Sequence, residues 1–488
     1  MTNHEGDTAF MRNFVNCIPL LFTLAACSDL LDVEDPDIID PGQSQSPEGA
    51  EASRVGALAV LNIATTGTAL TGGESFFLYG GLLADEWRSS DTFTQRDETD
   101  KRSVQTSNAN IDQGLRDIHR ARFAAQNALR LLREFAPTPS WRLGQMYWVQ
   151  GYTEIVIAEH FCSATFTDVE GDEITYGQPV PDTVVAQRAL AHFDSALMNL
   201  GGDTEGIVAN LASLGRARAL LWLGRFQEAS AAADDVDPEF VAVNEHSSTS
   251  HENQMWSFNI AARRYSLVDR DGGNGINFLS ANDPRLPYCR GGDDRCNELN
   301  PPASDTRGFD SQTALSVQLI WPTPESEVAL ASSTEARLIV AEAALRAGDN
   351  TTWLDELNTL RTNGLFTVRT DPQTGIPDTT WNAGTGGVAG LRPLVMPATE
   401  GERVNLMFRE RAFWLFSTGH RLGDLRRLVR QYGRTANTTF PSGTFHKGGT
   451  YGPDTNFPLP QSEENNPNVT AAKASGTIDA RGCFPGTI

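Results

Sequence analysis

Positive charge is scarce in this sequence. Its 488 residues include 39 lysines and arginines against 62 aspartates and glutamates, so the formal net charge is −23 at pH 7. A surface of this kind repels phosphate groups. The composition therefore argues against a protein that binds nucleic acid or an anionic membrane surface, and it suits a soluble body. The 40% of hydrophobic residues are enough to fill a sizeable core.

Common catalytic and metal-binding motifs are missing as well. The sequence has no G-x-S-x-G, no phosphate-binding P-loop and no Rossmann glycine pattern. It also lacks the C-x-x-C pairs that indicate structural zinc. The histidines of Glu245–Glu252 match no helical metal motif, and the turn at Asp269–Gly275 does not complete the spacing of an EF-hand. We therefore predict no metal and no cofactor.

The N-terminus has the pattern of an exported lipoprotein. Arg12 precedes the apolar run Phe14–Cys27, which is too short to span a bilayer and has the length of a signal-peptide core. The run ends in Leu-Ala-Ala-Cys, which is similar to the lipobox of bacterial lipoproteins. We expect residues 1–26 to be a signal peptide and Cys27 to be the lipidated N-terminus of the mature protein. Met11 is an alternative start.

Four cysteines follow Cys27, and an even number in an exported protein suggests disulfides. Cys289 and Cys296 bracket a loop that is short enough to close on itself. Cys162 would then pair with Cys483 and connect the first half of the chain to its C-terminus. Four cysteines allow three pairings, so the other two remain open.

Composition and periodicity divide the mature chain into three parts. Residues 27–48 are acidic and then rich in Pro, Gly, Ser and Gln, which is typical of a flexible tether. Residues 49–236 form a helical N-terminal region, and residues 237–488 form a C-terminal region that begins with a long polar stretch. Apolar spacing predicts helices over 111–132, 140–160, 184–199, 210–234 and 402–416.

Two distant segments resemble each other. Ala217–Val236 and Ala341–Leu360 each place small residues on a helix, then a glycine, then a second helix. Gly224 and Gly348 fit the left-handed position that ends many helices. Small residues that let paired helices approach closely are typical of tetratricopeptide repeats. The two segments therefore predict repeat-like helix pairs.

The stretch ERAFWLFSTGHRLGDLRR, Glu410–Arg427, concentrates charge around a helix–turn–helix corner. A Glu, a His and an Asp this close together could form a catalytic cluster. However, arginines outnumber carboxylates here, which holds Glu410 and Asp424 ionised and paired. The pattern therefore favours a structural corner held by ion pairs.

The same stretch, extended to Arg409, resembles the C-terminal signature of SusD/RagB proteins. Three further segments agree in order with that family: NDPRLPY (Asn282–Tyr288), STEARLIVAEAALRAGD (Ser333–Asp349) and NFPLPQSEENNPNV (Asn456–Val469). These proteins are lipid-anchored nutrient-binding partners of outer-membrane transporters. The resemblance covers nearly the whole mature chain and is weakest at 238–282 and 366–393.

The resemblance implies a mainly α fold with four tetratricopeptide-like helix pairs as scaffold and long irregular loops that carry the ligand site. It implies no catalytic activity. It also implies a location on the outer membrane, with the body on the extracellular side, and a TonB-dependent β-barrel of the SusC type as partner. The expected ligand is an oligosaccharide or a peptide.

Candidate ligand contacts come from the loops. Sugars are bound by aromatic rings that stack on their apolar faces and by carboxylates, amides and arginines that bond their hydroxyls. The polar loop Ala84–Asp97, the segment Asn253–Ser266 and the segment Leu319–Glu327 offer such groups. The candidates are Trp87, Asp91, Phe93, Arg96, Trp256, Arg263, Tyr265 and Trp321.

Two other functions fit the residues. A helical glycoside hydrolase or lyase would need two carboxylates facing a cleft, and sequence places no such pair. A tetratricopeptide-like adaptor would bind a protein partner and would have no small-molecule pocket.

Overall fold

The computed structural model describes residues 45–68, 74–170, 173–363, 366–370, 377–381 and 391–486, and helices are the main secondary structure of these residues. The signal peptide, Cys27 and most of the tether lie outside these residues. The helices, in chain order, are α1 (Pro47–Thr66), α2 (Phe76–Leu83), α3 (Thr94–Asp100), α4 (Ala109–Phe135), α5 (Trp141–His160), α6 (Asp182–Leu197), α7 (Ile207–Trp222), α8 (Phe226–Asp234), α9 (Asp294–Asn297), α10 (Ser333–Ala347), α11 (Asn350–Asn363), α12 (Glu400–Trp414), α13 (Arg421–Tyr432), α14 (Ala436–Thr439) and α15 (Pro467–Ala474).

Local sequence signals set several of these boundaries. The Ser46 hydroxyl accepts the backbone N–H of Gly49 at the start of α1, and the Asn108 side chain accepts two backbone N–H groups at the start of α4. Thr399 and Glu402 form a reciprocal capping box before α12. The helices predicted from periodicity are confirmed within a few residues, and Gly224 divides the predicted 210–234 helical segment into α7 and α8, as its predicted role requires.

Strands are short and pair two by two in the part of the chain that the structure describes. All six pairs are antiparallel. They are β1 (Trp87–Ser89) with β7 (Tyr265–Leu267), β2 (Ser163–Ala164) with β5 (Val180–Pro181), β3 (Asp168–Glu170) with β4 (Glu173–Thr175), β6 (Val241–Asn244) with β10 (Val328–Ser332), β8 (Tyr288–Arg290) with β9 (Ser316–Gln318), and β11 (Phe366–Thr370) with β12 (Pro377–Trp381). The predicted mainly α class is confirmed.

The scaffold is a continuous row of helices. Each helix from α4 to α8 packs against the next one, α8 packs against α10, and α10 packs against α11. The two repeat-like segments of the sequence are α7–α8 and α10–α11, so they are neighbours in space although about 100 residues lie between them. Gly348 ends α10 with φ of 80°, as its predicted role requires.

Helix α5 lies at the centre of this row. It is buried along nearly its whole length and contacts α4, α6, α7 and α13. Close approach is possible because two glycines face the ring of Phe193: a Cβ at Gly151 would lie 2.8 Å from that ring, and one at Gly215 would lie 2.3 Å from it. No ordinary side chain fits at these distances. The described residues include no helix with both the length and the apolar character that crossing a bilayer requires.

Two disulfides are present, Cys162–Cys483 and Cys289–Cys296. These are the pairs that the sequence favours. The first connects Cys162, just after α5, to the C-terminal segment. The second closes the short loop that contains α9. Residues 44–488 form one compact unit, so the boundary between residues 236 and 237 stays an interpretation of the sequence.

Candidate functional site

Glu410 is fully buried at the charged corner, and arginines surround it. Its carboxylate accepts hydrogen bonds from Arg285 at 2.7 and 3.2 Å and from Arg361 at 2.7 Å. Arg285 is itself buried and also donates to Asp283 at 2.8 and 2.9 Å. A carboxylate held by two guanidinium groups cannot act as a general base without breaking these pairs.

Asp424 and Glu342 are held in the same way. Asp424 accepts hydrogen bonds from Arg411 at 2.7 Å and from Arg427 at 2.8 Å. Burial alone would raise the pKa of Asp424, but these two guanidinium charges outweigh it and keep the pKa well below its usual range. Arg427 also pairs with Glu342. The stretch Glu410–Arg427 is therefore a corner held by ion pairs, as its charge pattern favours.

His420 stands in this corner between two polar groups. Its Nδ1 lies 2.9 Å from the Thr418 hydroxyl, and its Nε2 lies 3.0 Å from a carboxylate oxygen of Glu335. We expect His420→Ala to lower the free energy of unfolding by about 1–3 kcal/mol, because buried polar groups lose their partner. Ligand affinity should stay within a fewfold. Thermal denaturation and calorimetric titration check the two parts, and a large loss of affinity in a folded variant would contradict this role.

Three of the predicted ligand contacts lie in the core. Trp87, Tyr265 and Trp321 are buried, with at most 2% of each residue exposed. The Trp87 indole N–H donates to the Ser417 hydroxyl at 2.8 Å, and its ring packs against Phe416. Hydrophobic burial of large rings has placed these residues in the core, where a ligand in solvent cannot contact them.

Phe93, by contrast, lies at the surface and is 48% exposed. Phe309 is 44% exposed, and the guanidinium of Arg264 lies between the two rings, 4.9 Å from the centroid of Phe93 and 4.1 Å from that of Phe309. We call Phe93, Arg264 and Phe309 the aromatic platform. Both rings are partly exposed, and the cation that lies over them is itself partly exposed.

Backbone hydrogen bonds hold the three loops of the aromatic platform together. The N–H of Ser90 donates to the carbonyl of Arg264 at 3.0 Å, and the N–H of Phe309 donates to the carbonyl of Arg263 at 2.9 Å. Gly308 allows this approach, because a Cβ there would lie 2.2 Å from the Cβ of Ser90. The rings are therefore positioned by ordered backbone.

Two other predicted residues, Asp91 and Arg96, support the platform from beneath. Both are buried, so neither offers accessible surface for the direct ligand contact that the sequence predicted. Asp91 accepts hydrogen bonds from Arg96 and, at 2.7 Å, from Arg264. Arg96 also donates a hydrogen bond to Glu74 at 2.7 Å. Burial would raise the pKa of Asp91, but the bond from Arg264 and the charge of Arg96 outweigh it and lower that pKa.

Charged groups surround the platform. Arg263 pairs with the exposed Asp305. Lys447 donates to Asp97 at 2.6 Å and lies 3.1 Å from Asp310. These donors and acceptors beside two partly exposed rings can bond the hydroxyls of a sugar while its apolar face lies against the exposed ring surface.

Trp256 is half-buried and packs on the small core around the Cys289–Cys296 disulfide. A ligand contact there stays a prediction, as it does for Arg263. The sequence analysis missed Phe309, Asp305 and Lys447, which lie in polar loops far from Phe93 in the chain. An isolated phenylalanine in the loop Asp305–Thr313 was the available signal, but sequence does not show which loop it meets.

Neither the known family models nor the curated proteins include a match to the sequence. Solved structures do match. A SusD superfamily protein from Parabacteroides distasonis aligns with a TM-score of 0.60 at 12% identity, over 86% of this chain and 98% of that chain.

Two further structures agree. A SusD/RagB family protein from Bacteroides thetaiotaomicron has a TM-score of 0.60 at 11% identity, over 88% of this chain and 96% of that chain. A SusD-like carbohydrate-binding protein from Bacteroides vulgatus has a TM-score of 0.58 at 12% identity, over 87% and 97%. At identities this low, the TM-scores are evidence of shared architecture alone. This chain therefore has the fold of the SusD superfamily.

Proposed function

We propose that this protein binds an oligosaccharide at the aromatic platform, without chemical change, and delivers it to an outer-membrane transporter. The observation that carries the proposal is the exposed pair Phe93 and Phe309 with Arg264 between them. Single exposed apolar side chains are common on soluble proteins, but two exposed aromatic rings that meet on one cation form a patch. Here ordered loops hold them open beside hydrogen-bonding groups, which is the surface that a sugar ring requires.

The fold supports this reading. One solved structure with this fold is described as that of a carbohydrate-binding protein. The charged corner offers no free acid–base pair, since Glu410 and Asp424 are each held by two arginines. We infer that the protein binds and releases its ligand and that a SusC-type TonB-dependent β-barrel receives it. Lipidation of Cys27, which is predicted from sequence, would keep the protein on the outer membrane.

Calorimetric titration with a panel of neutral oligosaccharides and peptides tests the ligand. We expect Phe309→Ala and Phe93→Ala each to weaken oligosaccharide binding about tenfold, or about 1.4 kcal/mol, because each removes one stacking surface. Tyr176→Ala is the matched control, since Tyr176 is 42% exposed and lies outside the platform loops. Unchanged affinity in both platform variants would refute the site.

Arg264→Lys separates stacking from charge. Lysine keeps the positive charge beside Asp91 but lacks the planar guanidinium that lies between the rings. A loss of affinity in this variant therefore supports a preorganised platform. Each titration mixture should also be analysed for products, because cleavage of any oligosaccharide would replace binding by catalysis.

The transport partner has its own test. Full-length protein should be extracted from outer membranes in mild detergent, and the mass of the intact complex measured. A stable complex with a TonB-dependent β-barrel is expected. Isolation as a free lipoprotein that exchanges with no barrel would refute delivery and leave oligosaccharide binding as a separate result.

A further inference from the structure

A cavity of about 560 Å³ lies apart from the aromatic platform. Helix α4 supplies most of its wall, α1 contributes Val60, and the segment between β2 and β3 contributes Thr165 and Thr167. Phe123 and Ala124 add apolar surface, and Phe123 is 48% exposed. The cavity is large enough for a monosaccharide, and its wall offers both apolar carbon and polar groups.

Arg122 is the unusual residue of this cavity. It lines the cavity, yet only 5% of it is exposed. In the described part of the chain Arg122 has no ion pair, and its Nε has no hydrogen-bond partner. Its guanidinium carbon lies 5.2 Å from the ring centroid of Phe166. Burial lowers the pKa of Arg122. Most other buried arginines of the described residues are paired with carboxylates, whereas Arg122 is not. The nearby carboxylates of Glu154 and Asp168 act on its charge only from a distance, and Glu154 is already paired with Arg188 and His192.

Further positive charge stands around Arg122. Arg116 and Arg120 line the same cavity and are largely exposed at the surface of α4. Their carboxylate partners, Asp112 at 2.9 Å and Asp117 at 3.2 Å, belong to the same helix, and pairs this exposed are weak. Three guanidinium groups therefore face one cavity of a protein whose net charge is −23.

The remaining polar groups of the cavity do not neutralise Arg122. His119 is uncharged near pH 7, because burial and the charge of Arg122 lower its pKa to about 3. Glu463 is the acidic residue of the lining, and its carboxylate is occupied by the Thr165 hydroxyl at 2.6 Å. Burial raises the pKa of Glu463. An anion that enters the cavity meets more donors than acceptors.

We propose that this cavity is a second binding site, and that it takes a sugar carrying a carboxylate, the uronic-acid class. The guanidinium fork of Arg122 matches a carboxylate in two parallel hydrogen bonds. The apolar wall of Val60, Phe123 and Ala124 receives the carbon face of the ring. The site does not depend on the aromatic platform, so either site can fail without the other.

Galacturonate and galactose are the matched probes, since they differ by one carboxylate. We expect the full-length protein to bind galacturonate at least tenfold more tightly than galactose in calorimetric titration, with affinity that falls as salt is added. Arg122→Gln should reduce galacturonate affinity at least tenfold. Arg130→Gln is the control, because Arg130 lies on the same helix and is exposed outside the cavity.

Several outcomes would overturn this site. Equal affinity for the two sugars, or no binding of galacturonate by the unmodified protein, excludes a carboxylate site whatever the variants do. Unchanged affinity in Arg122→Gln excludes Arg122 as the anchor. If Phe309→Ala abolishes galacturonate binding while Arg122→Gln does not, the acid binds at the platform. Should Arg122→Gln fail to fold, Arg120→Gln at the cavity mouth must still weaken galacturonate binding for the site to stand.

Discussion

Replacing Glu410 by glutamine is expected to lower the free energy of unfolding by about 3–5 kcal/mol. Glutamine keeps the shape of the side chain and removes its charge, which leaves Arg285 and Arg361 facing each other without the carboxylate that they share. Both arginines are buried, so water cannot take its place. Denaturant unfolding followed by tryptophan fluorescence and circular dichroism measures the loss.

Glu400→Gln is the matched control for this prediction. Glu400 is an exposed glutamate in the first turn of the same helix, α12, and its replacement should cost only a few tenths of a kcal/mol. The double variant Glu410→Gln/Arg361→Met should lose less than the sum of the two single variants, because the two groups interact directly. Equal losses for Glu410→Gln and Glu400→Gln would show that the corner does not stabilise the fold.

Removing the Cys162–Cys483 disulfide should be similarly destabilising, by about 2–5 kcal/mol. This disulfide joins residues 321 positions apart, whereas Cys289 and Cys296 are 7 apart. A crosslink that closes a longer loop removes more entropy from the unfolded chain, and this difference in loop length corresponds to about 3 kcal/mol. The double variant Cys162→Ala/Cys483→Ala should therefore unfold at a lower denaturant concentration than Cys289→Ala/Cys296→Ala.

Native hydrogen bonds beside the Cys162–Cys483 disulfide also attach the C-terminal segment to the end of α5. The Ser163 hydroxyl donates to the carbonyl of Gly482 at 2.5 Å, and the N–H of Phe457 donates to the carbonyl of His160 at 2.8 Å. Loss of the crosslink should first release the C-terminal segment. Hydrogen exchange of residues 457–486 reports that release, and an equal or greater destabilisation by loss of Cys289–Cys296 would contradict the loop-length argument.

The choice of cation explains how so acidic a chain buries so much charge. Only three lysines, Lys101, Lys447 and Lys473, occur among its 39 basic residues. Arginine presents a planar fork of donors that can satisfy two carboxylates at once. Arg285 does so with Asp283 and Glu410, and Arg427 does so with Asp424 and Glu342.

Local patterns were sufficient for much of the scaffold. The apolar spacing of α4 and α5, the glycine after α10 and the charge balance of Glu410–Arg427 each depend on residues close in the chain. The family motifs added the fold, which the solved SusD structures confirm. The disulfide pairs that the sequence favours follow from one short loop and elimination. The sequence predicts these features because most of them depend on residues that are close together in the chain.

The candidate site could not be predicted from local patterns in this way. Phe93 was found from its polar loop, but the same reasoning also selected Trp87, Tyr265 and Trp321, which are buried. A polar loop exposes some rings and covers others, and only the packing of Trp87 against Phe416 and the meeting of Phe93, Arg264 and Phe309 distinguish them.

By itself, then, the sequence determined that this protein is mainly helical and has a charged structural corner, because periodicity, caps and charge balance act over a few residues. The SusD-like fold was implied by the resemblance of its motifs. Only the tertiary structure decided which aromatic rings face solvent and which arginines pair with a carboxylate, and among the described residues it leaves Arg122 outside every ion pair. Those outcomes depend on contacts between segments far apart in the chain, where burial and pairing are settled by the elements that pack together.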